Sequence, residues 1–108
     1  MSRLSVVVAA YDEEENVEPL TRRLAAALST LAGWSWEILY VVEGTDGTRD
    51  VLARLAREVP ALRVLYQERP SGLGNAFRRG FAALPADAEW AVTLDADLNH
   101  RPEEGTIT

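Results

Sequence analysis

The sequence predicts an α/β fold, a parallel sheet wound by helical crossovers, and three observations carry that prediction. Four short runs rich in Val, Ile, Leu and aromatic residues, 4–9, 36–42, 62–66 and 90–94, alternate with three stretches whose apolar residues recur at helical spacing. The connections between them are short and carry turn residues such as Gly and Asp. The first two runs are almost continuously apolar, as in strands covered on both faces.

Each element follows in order. Leu4 to Ala9 forms the first strand and ends at the acidic turn Tyr11-Asp12-Glu13-Glu14-Glu15-Asn16. Val17, Leu20, Leu24, Leu28 and Leu31 then mark one face of a helix that runs to about Leu31, with Arg22 and Arg23 facing away and Gly33 stopping it. Acids at its start suit the helix dipole, and Pro19 is tolerated because it lies in the first turn. Trp36 to Val42 is the second strand, followed by Glu43-Gly44-Thr45-Asp46-Gly47-Thr48. Val51, Leu52, Leu55, Ala56 and Val59 give a second amphipathic helix that Pro60 closes. Leu62 to Tyr66 is the third strand. The loop from Gln67 to Asn75 opens a third helix with Phe77, Phe81 and Leu84 as its apolar face, and Pro85 ends it before the fourth strand starts at Trp90. Right-handed crossovers then give a Rossmann-like sheet of order 3-2-1-4 with helices on both faces.

Composition narrows the function classes. The 108 residues make one domain or part of one, with 17 acidic against 11 basic residues and a net charge of −6. Nucleic acid is not an expected partner, because phosphate-backbone binding needs a basic face. The absence of cysteine removes disulfides, thiolate nucleophiles and cysteine-based zinc sites. No signal-peptide pattern precedes Leu4 and no apolar run approaches a membrane span, so a cytoplasmic location is expected, with peripheral membrane attachment compatible.

The chemistry concentrates at strand ends. In Asp95-Ala96-Asp97-Leu98-Asn99 the two carboxylates and the amide share one side of an extended segment, while Leu94, Ala96 and Leu98 take the other. In the expected strand order, the winding of the chain reverses direction between strands 1 and 4, and ligands of open α/β sheets bind at such a switch point. Asp12, Glu13, Glu43, Asp95 and Asp97 are therefore expected to converge on one crevice. Such a crevice repels bare phosphate and attracts a hard cation; oxygen-only donors point to Mg²⁺ or Mn²⁺ and, through the ion, to a diphosphate ester. Arg69, at the end of strand 3, is expected to neutralise further phosphate charge. Gly72 and Gly74 give either backbone access to an anion or plain turn geometry.

Four stretches, Val6 to Asn16, Val41 to Thr48, Gly72 to Phe81 and Asp95 to Pro102, occur in an order and spacing that resembles the amino-terminal half of the family-2 inverting glycosyltransferases of GT-A fold. The chain is most similar there to the polyprenyl-phosphate (dolichol-phosphate) mannosyltransferases and their bacterial relatives. The resemblance implies a sugar transferred from a nucleotide-diphosphate donor, GDP-mannose-like or a UDP-sugar, to an acceptor such as polyprenyl phosphate at a membrane surface. It implies that Ala9, Tyr11 and Glu13 lie against the donor nucleotide, Val41 and Glu43 beside the base, and Ala96 within the same donor site, to which the position of Arg69 adds a cation. It implies Asp95, Asp97 and Asn99 as the metal-holding set. Ala9 stands where the family usually has Pro, Asp12 where it has Asn, and Val42-Glu43 where it has two Asp. Residues 1–108 would then be the nucleotide-sugar-binding part, with the acceptor-binding half and the catalytic groups expected there absent. Such a chain is expected to bind donor better than it turns over, and a non-catalytic donor-binding remnant is the alternative.

Two other α/β classes fit the sequence less well. A dehalogenase-type phosphatase places its Asp-x-Asp on the first strand, and a nicotinamide-binding domain needs a Gly-rich turn where this chain has Tyr11 to Glu15. Structural roles are open for Tyr11 as a strand cap, Glu13 to Glu15 as a helix start, and Glu43 and Asp46 as turn formers. His100 reads as a loop residue, Trp34, Trp36 and Trp90 as packing, and Arg78 and Arg79 as a solvated helix face. An uncovered strand 4 invites pairing with a second copy, so a homodimer is expected.

Overall fold

The computed structural model describes residues 2–96 together with 106 and 107. Strands β1 (Ser2–Tyr11), β2 (Trp34–Glu43), β3 (Leu62–Gln67) and β4 (Trp90–Asp95) alternate with helices α1 (Val17–Leu28), α2 (Thr48–Leu55) and α3 (Leu73–Ala82), and a two-residue strand β5 (Thr106–Ile107) follows. The sheet order is β3-β2-β1-β4-β5, the first four strands parallel as expected and β5 antiparallel to β4.

Alternation along β1 and β2 divides the core. Val6, Val8, Ala10, Ile38, Tyr40 and Val42 meet α1 and α2 through Leu20, Leu24, Leu52 and Leu55, while Val7, Ala9 and Val41 meet α3 through Ala76. Polar groups inside the larger core are paired. The Thr21 hydroxyl donates its one hydrogen to the Val17 carbonyl at 2.6 Å, so the buried Tyr40 hydroxyl, 2.7 Å away, is the donor to Thr21.

Three expectations are corrected. Helix α1 stops at Leu28 rather than Leu31, because Ser29 and Thr30 turn their hydroxyls onto the Ala25 and Ala27 carbonyls and close the helix. The face of α3 that meets the sheet is made by Ala76 and Gly80; Phe77 and Leu84 are only half-buried, and Phe81 is exposed. Small residues allow α3 to lie close on β1 and β2, which leaves the larger rings at its flanks. The outer edge of β4 is not left open, since Val92 and Thr93 pair with Ile107 and Thr106 of β5. The edge on which self-pairing was expected is therefore already partly occupied. Beside it, Leu4, Leu31, Trp34, Trp90 and Val92 line a shallow apolar hollow at the opposite end of the sheet from the acidic turns. Among the described residues, no helix is long and apolar enough to cross a membrane.

Candidate functional site

Register fixes what meets at the carboxyl ends of the strands. Ala9 is opposite Asp95 across the β1–β4 pair, and Tyr11 is opposite Glu43 across β1–β2. Parallel neighbours in register share a side, so Ala9, Tyr11, Val41, Glu43 and Asp95 all face α3. Together with Pro70, Gly72, Leu73 and Ala76 they line an open hollow of about 350 Å³. Its walls are mostly apolar, with carboxylates from two strands, a composition suited to a flat organic ring carrying a polar edge.

Glu43 is 4% exposed, and its burial is compensated. Its Oε1 accepts from the Ser71 backbone N–H at 2.8 Å; Oε2 accepts from the Ser71 hydroxyl at 2.5 Å and from Arg79 Nη1 at 2.9 Å. The segment that supplies Ser71 is shaped by Gly72, whose φ of +88° favours glycine. A side chain at Gly74 would meet nothing within 4 Å, so sterics place no demand on that glycine.

The acidic turn after β1 goes elsewhere. Asp12 Oδ1 accepts from the Thr45 N–H, and Glu14 Oε1 from the Gly47 N–H at 3.0 Å. In return, Asp46 Oδ2 accepts from the Glu14 N–H at 3.2 Å, and the buried Thr48 hydroxyl accepts from the Glu13 N–H at 3.0 Å while donating to Asp46 Oδ1 at 2.6 Å. The slight burial of Asp46 opposes its ionisation, but hydrogen bonds from the Thr48 side chain and from the Thr48 and Glu14 backbones outweigh it and hold the carboxyl below its ordinary value. Asp12 adopts φ of +49°, and Gly44 lies so close that any side chain there would strike its carboxylate. The turns after β1 and β2 are thus laced together.

The expected site residues therefore fall into groups. Ala9, Tyr11, Val41, Glu43 and Asp95 share the hollow. Glu13 does not line it; its carboxylate holds Asn16 at 2.6 Å in a separate acidic depression with Asp12, Glu14, Glu15 and Asp46. Arg69 is exposed on the loop after β3, where its carbonyl accepts from Gln67, and is not among the walls. Ala96 turns into the larger core on the opposite face, its N–H bonded to the Ala9 carbonyl at 2.9 Å. Asp97 and Asn99 lie outside the described residues. Among the described residues, no group of three acidic or histidine side chains is arranged to hold a metal ion. Ser71 and Arg79 are the polar groups that sequence reasoning missed. The apolar pattern of α3 predicts Arg79 on a solvated face with Arg78, yet its spacing of three from Ala76 puts it beside the face that meets the sheet.

A parallel sheet whose strand order reverses between β1 and β4, with an apolar, carboxylate-bearing hollow at that reversal, has the architecture of the GT-A class. The chain belongs to glycosyl transferase family 2, whose model matches residues 5–105. It is 35% identical over 100 residues to the dolichol-phosphate mannosyltransferase of Saccharomyces cerevisiae, covering 92% of this chain and 37% of that protein. It is 33% identical over 106 residues to the undecaprenyl-phosphate 4-deoxy-4-formamido-L-arabinose transferase of Salmonella enteritidis, covering 96% of this chain and 32% of that one. The structure of a mannosyltransferase from Pyrobaculum calidifontis, in complex with GDP-Man and Mn²⁺, superposes with a TM-score of 0.73 at 23% identity over 87% of this chain and 27% of its own. That likeness establishes the fold. The chain spans about a third of the length of these curated relatives.

Proposed function

We propose that this chain forms the donor-binding part of a glycosyltransferase that moves a sugar from a nucleoside diphosphate to polyprenyl phosphate at a membrane surface. The observation that carries the reading is the convergence of Tyr11, Glu43 and Asp95 on one largely apolar hollow at the sheet's switch point. The family membership and the acceptors in the relatives' names support the transfer and the lipid phosphate.

In this reading the nucleobase lies between Val41, Ala76 and Leu73, with Glu43 at its polar edge. Asp95 and the expected Asp97 beside a diphosphate would oppose binding by about 4 kcal/mol per close charge pair in a half-wet site. A divalent cation removes that opposition. The donor set is oxygen-only, with Asp95 at the end of β4 as its described member and Asp97 and Asn99 as the other expected ligands, and this fits Mg²⁺ or Mn²⁺. When bound, the ion supplies Lewis-acid stabilisation of the departing nucleoside diphosphate. The chain's own residues bind and orient: Tyr11 and Val41 wall the hollow, and Glu43 fixes the base.

Calorimetric titration of UDP and GDP, each with and without Mn²⁺, tests the reading. Metal-dependent binding of one nucleotide that Asp95→Asn and Asp97→Asn each weaken by tenfold or more, on the order of 1.4 kcal/mol, is expected. Binding of neither nucleotide overturns it. Binding without sugar transfer to polyprenyl phosphate favours the non-catalytic donor-binding alternative.

A further inference from the structure

We infer that Arg79 and Ser71 are positioning residues that make the hollow selective for uracil over guanine; this rests on the nucleotide reading above. A carboxylate offers about four acceptor positions, two on each oxygen. In Glu43, Oε2 already accepts twice, from the Ser71 hydroxyl and Arg79 Nη1, and Oε1 accepts once, from the Ser71 N–H. One position remains, on Oε1. Glu43 is 4% exposed, and each of its three partners comes from the loop before α3 or from α3 itself.

The nucleobases differ in what they ask of such a group. Uracil presents one imide N–H between two carbonyls and needs one acceptor. Guanine presents two adjacent N–H groups, which pair best with both oxygens of a carboxylate at once. With Oε2 filled, one guanine N–H would be left unpaired, and a buried unpaired donor is costly. Cytosine presents a bare ring nitrogen where uracil has its N–H and so sets a lone pair against the carboxylate. UDP is therefore the preferred diphosphate, although the Pyrobaculum calidifontis mannosyltransferase that shares the fold was solved with GDP-Man.

Arg79 acts through Glu43 and need not touch the ligand, so its removal has a distinctive effect. Arg79→Ala frees a position on Oε2 and should move the ratio of GDP to UDP affinity toward GDP. Ser71→Ala removes the hydroxyl bond to the same oxygen, keeps the backbone bond and should move the ratio the same way. Arg79→Lys, which retains a donor, should restore the original ratio.

The experiment is titration of UDP, CDP and GDP into the full 108-residue chain with Mn²⁺, and into these three variants after circular dichroism confirms their fold. UDP is expected to bind about tenfold or more tighter than CDP and GDP, and Arg79→Ala and Ser71→Ala to shift the GDP/UDP ratio by about fivefold or more. Equal or tighter binding of GDP by the unsubstituted chain overturns the base assignment while leaving the donor site standing. Uniform weakening of all three nucleotides in both Arg79→Ala and Ser71→Ala overturns the positioning role. Should Arg79→Ala fail to fold, Ser71→Ala alone decides. Binding of no nucleotide overturns this inference together with the reading beneath it.

Discussion

Gly80 of α3 rests directly on the side chain of Val7 in β1: a Cβ at Gly80 would overlap Val7 Cγ1 and stand 3.1 Å from Val41 Cγ2. The closeness of that contact sets the depth at which Ala76, four residues earlier on the same face, walls the hollow. Gly80→Ala should lower stability by about 1–3 kcal/mol through overpacking, despite the better helix propensity of alanine. Gly74→Ala, with open space around it, should gain up to about 1 kcal/mol. Urea unfolding of the two variants checks the opposite signs.

Tyr40 makes the core sensitive to alkali. Burial raises its phenol well above the ordinary 10.0, against a smaller lowering effect of the hydrogen bond to Thr21. A folded-state value above the unfolded one contributes stability that is complete below pH 10.0 and is lost as pH rises toward the folded value. Stability should therefore fall above about pH 10, and Tyr40→Phe should flatten that decline. At neutral pH the same substitution should cost about 0.5–1.5 kcal/mol, since Thr21 keeps its bond to Val17 and loses only its donor.

Asp46 has the opposite sign. Its folded-state value lies below the ordinary 3.8, so its contribution is complete above that value and disappears as pH falls through the folded one. Asp46→Asn should make the acid limb of the stability profile shallower below about pH 4 and leave the alkaline limb unchanged. Thermal melts across pH 2–9 distinguish this from a general loss of stability.

Glu37 anchors the amino ends of the strands and predicts an asymmetry. It is 5% exposed and accepts from Ser5 Oγ at 3.2 Å, Arg63 Nη1 at 3.4 Å and Arg3 Nη2 at 3.5 Å. The side chains of the arginines are 31% and 44% exposed and can turn to water when Glu37 is removed. Glu37→Ala should cost about 1–3 kcal/mol. Arg3→Ala combined with Arg63→Ala strands a buried carboxylate and should cost more, about 3–5 kcal/mol. Denaturant midpoints give the order, and the reverse order would show that Glu37 reaches water.

The order β3-β2-β1-β4 was legible because it follows from four β-rich runs and short crossovers, and strand alternation correctly separated the faces on which Asp95 and Ala96 lie. Helix α3 was misread for a physical reason. Phe77 and Phe81 dominate its apolar pattern, but the surface that meets the sheet is chosen by Ala76 and Gly80, whose value is their small size. That error hid Arg79, because a helix turned onto the wrong face sends its flanking arginine to solvent. Glu13 and Arg69 show a second limit: loop residues are placed by hydrogen bonds to partners distant in sequence, such as Thr48 for the Glu13 backbone, and no periodicity reports them. Strand β5, with two residues, is too short to carry a pattern at all.

The cross-lacing of the turns after β1 and β2 bears on how firmly the rim of the hollow is held. Tyr11 and Glu43 stand immediately before those turns, so the lip they form is held on both sides by Asp12, Glu14, Asp46 and Thr48. Its conformational freedom is surrendered during folding, before any ligand arrives. For the proposed donor site this means a mould rather than a hand: selection would rest on the shape and hydrogen-bonding pattern of an edge already tied in place.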